Sequence, residues 1–337
     1  MTKTLFRLSP FAILCSLFLL GCGKPNEPEV LPGDGGYKIV SRFQTPGWAQ
    51  DLVVRDTLAY VAQGEGGLII ISTKDARNPS TVSIAPVGAR GYSYKIAQKD
   101  NAIYLAAGNF GVTVIDVANP AIPQVSGENL AMKPARDFCV IGTFLLTAVS
   151  ELGVKISDIS APLYPDIRGG FSVPGYGRGL WMVPDSRYLL VACGEMGMAI
   201  MDTAGLQDGW GILRRISWLD TPGYAEAITT KGLEHIALLA CGDAGMQVVD
   251  FRDTTNVRIV GSYQTGGYAK EIAYRDQRAY ITTETKGLQV LSVENPSLPR
   301  LVGIVKTDFA RGVVVDSSYV YVADEIQGLV IISIPKN

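Results

Sequence analysis

One complete repeat of the chain runs from residue 265 to residue 305: TGGYAKEIAYRDQRAYITTETKGLQVLSVENPSLPRLVGIV. Short apolar runs at 272–274, 279–282, 287–293 and 301–305 are typical of strands. Polar, Gly and Pro residues between these runs mark tight turns. The repeat therefore predicts four short antiparallel strands.

A Gly-(Leu/Val/Met)-x-(Val/Ile) phrase at the third strand recurs seven times, with steps of 44, 42, 44, 48, 42 and 41 residues. The first residues of the seven phrases are Gly67, Gly111, Gly153, Gly197, Gly245, Gly287 and Gly328. Four strands in about 42 residues are typical of a β-propeller blade, whose sheet buries both faces only against neighbouring copies.

The two ends of the repeat region predict a closed ring. The last copy ends after its third strand, at 329–334, whereas residues 37–44 match the fourth strand at 257–264. We therefore expect an all-β fold, a seven-bladed β-propeller of four-stranded antiparallel blades over residues 37–337. An N-terminal strand would complete the last blade and remove exposed sheet edges.

The N-terminal region is predicted to direct export. Lys3 and Arg7 precede an apolar run that is short for a membrane span. The run ends in Leu-Leu-Gly-Cys at 19–22, which resembles the lipobox of bacterial lipoproteins. The resemblance implies a signal peptide over residues 1–21 and a lipid on Cys22 that attaches the protein to a membrane. An ordinary signal peptide or an uncleaved anchor is the alternative.

Residues 22–36 are predicted to form a flexible tether, because Pro, Glu, Asn and Gly residues show no apolar periodicity there. Gly23 stands where inner-membrane retention signals of lipoproteins usually have Asp. We therefore expect a lipid-anchored protein of the bacterial cell envelope, with the outer membrane favoured.

The third strands carry a second resemblance. Residues 112–117 with Asn119-Pro120, 247–250 and 329–333 resemble the LVIVD-repeat proteins, and the resemblance covers residues 37–334. It implies an exported, propeller-forming protein with no general catalytic assignment. The final Asp of the repeat name is kept in four copies and is Ser in the other three: Asp116, Asp158, Asp202, Asp250, Ser72, Ser292 and Ser333. Both residue types bond to nearby backbone N–H groups, so we predict that they cap turns.

Two sets of turns are predicted to share one face of the ring: the turns that enter each first strand, and those between the second and third strands. Six entering turns carry the candidate aromatic rim, Trp48, Tyr92, Tyr176, Tyr224, Tyr268 and Phe309. Two positions further on, a residue that varies between blades gives the candidate channel-mouth binding set: Gln50, Tyr94, Arg136, Arg178, Glu226, Lys270 and Arg311.

Both sets have two interpretations. The mouth cations could pair with acids from the other turns and hold neighbouring blades in register. Each such pair would contribute little to the stability of the fold. Alternatively, they could bind an anionic group such as a carboxylate, whose two oxygens match a guanidinium. The aromatic rings could pack between blades, or some of them could form a protein-binding platform.

Composition and motifs argue against several function classes. The net charge is −2 without a strongly basic stretch, so nucleic acid is not expected as a partner. We expect no metal or cofactor, because His235 is the sole histidine and Cys139, Cys193 and Cys241 lack CxxC spacing. We predict that Cys193 and Cys241 are free and buried, and that Cys139 lies in the core as part of a first strand. His235 is expected in a solvated loop on the opposite face.

The sequence favours a non-enzymatic binding or scaffold module for a protein or a surface polymer, since no catalytic residues are recognisable. The question of an enzyme stays open. One alternative is a channel-mouth lyase or hydrolase that uses Glu226 as an acid or base on a small anionic substrate. Another is a sensor or carrier of a small anionic ligand.

Overall fold

A computed structural model of the chain describes residues 33–85, 91–184, 187–207, 213–232 and 235–336. Within these ranges, 28 strands form seven four-stranded antiparallel sheets, which confirms the predicted seven-bladed β-propeller. The predicted signal peptide, Cys22 and the tether up to residue 32 lie outside the described residues. None of the helices in the described ranges has the length and apolar character needed to span a membrane.

The strands follow the chain blade by blade, and the first strands of neighbouring blades contact one another around the central channel. The first strand of the chain, β1 (Lys38–Phe43), belongs to the last blade. Blades 1 to 4 contain β2 (Asp51–Arg55), β3 (Leu58–Ala62), β4 (Leu68–Ser72), β5 (Ser80–Ile84), β6 (Lys95–Lys99), β7 (Ala102–Ala106), β8 (Val112–Asp116), β9 (Gln124–Asn129), β10 (Asp137–Ile141), β11 (Phe144–Ala148), β12 (Val154–Asp158), β13 (Asp166–Phe171), β14 (Gly179–Met182), β15 (Tyr188–Ala192), β16 (Met198–Asp202) and β17 (Arg214–Leu219).

Blades 5 to 7 continue the same order. Their strands are β18 (Ala227–Thr230), β19 (Ile236–Ala240), β20 (Met246–Asp250), β21 (Arg258–Tyr263), β22 (Glu271–Arg275), β23 (Arg278–Thr282), β24 (Leu288–Ser292), β25 (Arg300–Val305), β26 (Ala310–Val315), β27 (Tyr319–Asp324) and β28 (Gly328–Ser333). A short helix, α1 (Ala204–Gln207), follows β16, and a 3-10 helix (Leu130–Met132) follows β9.

The ring closes as predicted. Strand β1 pairs with β28, where Ile39 lies opposite Ile332 and Phe43 lies opposite Leu329. Before β1, the carbonyl of Gly33 accepts a hydrogen bond from the Ile304 N–H (3.1 Å), so residues 33–36 lie against β25, the outermost strand of blade 6. The chain therefore reaches the ring at its outer edge, away from the channel.

The hydrophobic core lies between neighbouring sheets. Strand β15 of blade 4 and strand β19 of blade 5 place Leu190 and Leu239 in one fully buried cluster with Ile200 and Val249. Second and third strands are buried on both faces because each sheet packs between two others. Burial of each large aliphatic side chain stabilises the ring by about 1.5–3 kcal/mol, so the blades stabilise one another rather than folding alone.

The predicted turn-capping role is confirmed for the repeat aspartates but not for the serines, since the Ser292 hydroxyl accepts a hydrogen bond from Arg278 and the Ser333 hydroxyl donates to the Lys38 carbonyl. The Asp116 Oδ1 accepts a hydrogen bond from the Ala118 N–H (2.8 Å), and Asp158 accepts one from the Ser160 N–H at the same distance. Asp202 and Asp250 bond in the same way to the N–H group two residues further on.

Candidate functional site at the channel mouth

Backbone hydrogen bonds fix the position of each mouth residue. The Arg136 N–H donates to the Ala148 carbonyl in its own blade (2.9 Å), while the preceding Ala135 N–H donates to Gly108 of the blade before (3.1 Å). The same pair of bonds occurs in blades 2 to 6, while Gln50 in blade 1 and Ala310 in blade 7 each make one of the two. All seven predicted mouth residues therefore come together and line one cavity of about 130 Å³. Lys95 and Glu271 also line this cavity.

Glu226 is the centre of an ion-pair network in blades 4 to 6. Its Oε2 accepts hydrogen bonds from the Nε (3.0 Å) and Nη2 (2.6 Å) of Arg178, and its Oε1 accepts one from the Tyr268 hydroxyl (2.8 Å). The Lys270 Nζ lies 3.1 Å from Oε1. Burial by itself would raise the pKa of Glu226, but Lys270 and Arg178 lower it below its ordinary value. The saturated carboxylate does not favour an acid or base role.

A second network joins blades 6, 7 and 1. Arg311 donates from Nε to Glu325 (2.7 Å) and from Nη1 to Glu284 (2.6 Å). Gln50 donates its side-chain amide to the same Glu325 oxygen (2.9 Å). The Arg311 guanidinium also lies over the Phe309 ring, 4.7 Å from its centroid. We call Arg178, Glu226, Lys270, Arg311 and Gln50, with their acidic partners Glu284 and Glu325, the paired arc.

Arg136 and Tyr94, in blades 3 and 2, form the rest of the mouth, which we call the open arc. The Arg136 Nε donates to the Ser150 hydroxyl (3.1 Å), and its guanidinium lies 5.2 Å from the Tyr94 ring centroid. Among the described residues, no carboxylate lies within 4.0 Å of Arg136. A guanidinium has five N–H donors, so four of those of Arg136 have no acceptor in the described part of the protein.

Two residues that contact mouth arginines adopt an unfavourable backbone conformation. Gly64, Gly108, Gly194 and Gly242 have positive φ at the start of the second-to-third-strand turn. Ser150 (φ 51°) and Glu284 (φ 48°) occupy the same position in their blades. A non-glycine residue in this region costs about 1–3 kcal/mol. The Ser150 side chain binds Arg136 and the Glu284 side chain binds Arg311. Each residue with an unfavourable backbone conformation therefore holds a mouth arginine.

A charged layer lies directly beneath the mouth. Asp51, Lys95, Asp137 and Glu271 each follow a mouth residue in the sequence, and sequence reasoning missed all four. The Lys95 ammonium binds Glu271 and lies 3.8 Å from an Asp51 oxygen. The repeat alignment could have identified these four residues, because charged residues recur at this one position of the repeat. The seven residues there are Asp51, Lys95, Asp137, Gly179, Ala227, Glu271 and Gly312.

The two aspartates of this layer bind the backbone of the next blade. The Asp51 carboxylate accepts a hydrogen bond from the Ile96 N–H (3.1 Å), and the Asp137 carboxylate accepts one from the Leu180 N–H (2.7 Å). Burial raises the pKa of Asp51 to about 7 and that of Asp137 to about 6. The layer therefore holds three acids and one ammonium in a desolvated space.

The aromatic rim serves two purposes. The rings of Tyr92, Tyr224 and Tyr268 lie so close to a glycine of the preceding blade that an added Cβ would come within 2.9 Å, so these three pack between blades. Trp48 and Tyr176 are exposed instead (63% and 44%). The structure thus supports blade packing for one subset and an outward-facing position for another.

Exposed apolar side chains are concentrated on the face that holds the mouth. Thirteen large hydrophobic residues are exposed in the described part of the chain, and nine belong to mouth-side turns or to strand ends next to them. These nine are Trp48, Ile84, Tyr94, Phe110, Leu130, Leu152, Tyr176, Trp218 and Ile326. We call this set the apolar mouth face.

Comparison with known proteins agrees with the repeat structure. The LVIVD repeat profile matches residues 46–85, 90–129, 266–307 and 309–335. The chain carries LVIVD repeats. The matches fall on blades 1, 2, 6 and 7, whereas blades 3 to 5 have the same four-stranded architecture without a match. Among the six blades with a third-to-fourth-strand turn, only the three that match contain Asn-Pro there, at 78–79, 119–120 and 295–296.

A solved structure resembles this LVIVD-repeat propeller in fold alone. The crystal structure of the computationally designed Ika8 protein aligns with a TM-score of 0.60 at 10% sequence identity, covering 89% of this chain and 100% of the designed one. No curated protein matches the sequence.

The three cysteines and the histidine in the described part of the LVIVD-repeat ring are wholly or partly buried. Cys193 and Cys241 are buried and free, and Cys139 is free and half-buried. His235 is half-buried with its ring 5.3 Å from that of Phe251, so the predicted solvated position was wrong. The described ranges hold no group of three or more His, Cys, Asp or Glu side chains arranged to bind a metal ion.

Proposed function

We propose that this LVIVD-repeat propeller is a lipid-anchored binding module of the bacterial cell envelope whose apolar mouth face holds a partner protein. The observation that carries the proposal is the concentration of exposed apolar side chains around the charged mouth. The centres of protein interfaces are enriched in aromatic residues and Arg, and poor in other charges.

The size of the cavity supports a protein partner over an enclosed substrate. Pockets that enclose small-molecule ligands usually measure about 300–1,000 Å³. The mouth cavity measures about 130 Å³, which is enough for the end of one side chain. A partner that lies across the face and inserts a single group uses both the apolar residues and the cavity.

The expected anchor is compatible with such binding. Cys22 would carry the lipid, and the chain reaches the ring at the outer edge of blade 6, where Gly33 contacts Ile304. The described start of the chain, residues 33–36, therefore lies at the circumference and not in the channel mouth.

The proposal is tested by photo-crosslinking in cells that produce the full chain. A crosslinking amino acid at position 152, on the mouth face, should form a reproducible protein adduct, whereas one at Tyr164 should not. Leu152 and Tyr164 are similarly exposed (56% and 70%), but Tyr164 lies in a turn on the opposite face. Phe110→Ser should remove the adduct, and the matched substitution Ile122→Ser on the opposite face should leave it unchanged.

Three outcomes would contradict the proposal. An adduct that forms equally from both positions would show non-specific contact, and a carbohydrate adduct would identify a surface polymer instead of a protein. Absence of labelled fatty acid on the wild-type chain, with the Cys22→Ser variant as the control, would rule out the lipid anchor.

A further inference from the structure

Arg136 is the one mouth cation, among the described residues, without a carboxylate partner. Arg178 and Lys270 share Glu226, and Arg311 binds two glutamates. The nearest acid to Arg136 in sequence, Asp137, instead accepts a backbone hydrogen bond from Leu180. The positive charge of Arg136 is therefore not offset by a direct ion pair.

The guanidinium of Arg136 is nevertheless held in place. The Ser150 hydroxyl accepts a hydrogen bond from its Nε, and the guanidinium lies over the Tyr94 ring. Ser150 keeps a positive φ that favours glycine, although Gly108 and Gly194 occupy the same position in adjacent blades. The two terminal nitrogens, which lack a protein acceptor, belong to a side chain that lines the cavity. Preorganised guanidinium groups of this kind bind a carboxylate through two parallel hydrogen bonds.

We infer that Arg136 receives one carboxylate at the channel mouth, with the carbon chain of the ligand lying on the apolar mouth face beside Tyr94, Phe110 and Leu152. The inference rests on the proposed function, because it assumes that this face binds, and it adds the chemistry of the bound group. The carboxylate belongs either to a small acid with an apolar chain or to a side chain or C-terminus of the partner.

The charges beneath the mouth favour a singly charged ligand. Asp51, Asp137 and Glu271 share one ammonium, that of Lys95. A doubly charged phosphate would be repelled more strongly by these acids than a carboxylate would, because the interaction scales with the product of the charges. Tyr94, Phe110 and Leu152 are exposed by 39%, 45% and 56%, so they offer contact area to an apolar chain.

The test uses the full chain and follows the Nε–Hε resonance of Arg136 by NMR. The probes are butyrate, inorganic phosphate at matched ionic strength, and N-acetyl leucyl-phenylalanine with either a free or an amidated C-terminus. We expect butyrate or the free peptide to shift the resonance saturably, and phosphate and the amide to leave it unchanged. Saturation by butyrate indicates a small acid, whereas binding of the free peptide alone indicates a partner carboxylate.

Variants make the assignment specific, and calorimetry with the same probes measures them. Arg136→Gln should abolish binding, and Arg136→Lys should weaken it about tenfold because an ammonium lacks the two-bond geometry. The control Arg168→Gln removes the same charge from a residue that pairs with Asp158 and Asp166, and it should bind like the wild type.

The inference is overturned if neither carboxylate probe binds, if phosphate binds more tightly than butyrate, or if Arg168→Gln reduces binding as much as Arg136→Gln. Its failure is distinguishable from failure of the proposed function. A crosslink from position 152 that persists in Arg136→Gln while no carboxylate binds would leave the mouth face as the interface and remove the carboxylate.

Discussion

The paired arc and the open arc contain the same kind of residue at the same position of the repeat, yet they differ in what surrounds it. Arg178 and Arg311 each bind carboxylates supplied by a neighbouring turn or blade. Arg136, with the same backbone hydrogen bonds as Arg178, has only a hydroxyl and an aromatic ring. The comparison indicates that repeat position decides where a side chain lies, while its neighbours decide whether it is available to bind.

The paired arc links blades to one another. Glu226 of blade 5 joins Arg178 of blade 4 to Lys270 of blade 6, and Glu325 joins Arg311 to Gln50 across the closure between blades 7 and 1. Such a network contributes little net stability relative to an apolar contact, but it is costly to break because a charge is left unpaired. The structural interpretation of the mouth therefore fits the paired arc, and the proposed binding concerns the open arc.

The largest expected effect comes from breaking the paired arc. Glu226→Gln should lower the free energy of unfolding by about 3 kcal/mol, because Arg178 and Lys270 then lie unpaired in a largely buried site. Arg136→Gln should lower it by only about 1 kcal/mol, since one hydrogen bond and the contact with the Tyr94 ring are lost but no charge is left unpaired. Urea denaturation measures both, with the exposed Glu65→Gln as a control. Equal losses for the two variants would show that the arcs do not differ.

A second prediction uses pH, because the pKa values of Asp51 in the charged layer and of Glu226 in the paired arc are shifted in opposite directions. The pKa of Asp51, in the charged layer beneath the mouth, is raised by burial from 3.8 to about 7. The stability it contributes is present below its unfolded pKa and is lost as the pH rises through about 7. The pKa of Glu226 is lowered, so its contribution is lost only in acid, as the pH falls through its folded value.

The unfolding free energy of the wild type should therefore fall between about pH 5 and about pH 8. In Asp51→Asn this fall should be smaller by about 2 kcal/mol. The Asn side chain can still accept the Ile96 N–H bond. The control Asp56→Asn changes an exposed residue with positive φ, which Asn tolerates. The measurement is urea denaturation across this pH range. An unchanged pH profile in Asp51→Asn would show that the buried layer does not take up protons near neutral pH.

The sequence was sufficient for the fold and for the mouth positions, because a fixed period determines which backbone positions share a face. Ile39 pairs with Ile332 as predicted, and all seven predicted mouth residues line one cavity. Ion-pair partners were not predictable in the same way. Arg136 and Arg178 occupy equivalent columns, and only the side chains of adjacent blades distinguish them. The environment of His235 was missed because its ring lies near both Phe251 of its own blade and Tyr188 of the preceding blade.

The smallest expected effect concerns Ser150, which positions Arg136. Ser150→Gly relieves a positive φ and loses one hydrogen bond, two changes of about 1 kcal/mol with opposite sign, so stability should change by less than about 0.5 kcal/mol. Ser150→Ala keeps the strained backbone and loses the same bond, so it should be about 1 kcal/mol less stable than the wild type. Both should weaken butyrate binding several-fold, because the guanidinium loses the group that orients it. Unchanged butyrate affinity in the Ser150→Gly variant would show that the Ser150 hydroxyl does not position Arg136. The open arc would then differ from the paired arc only because it lacks an acidic residue.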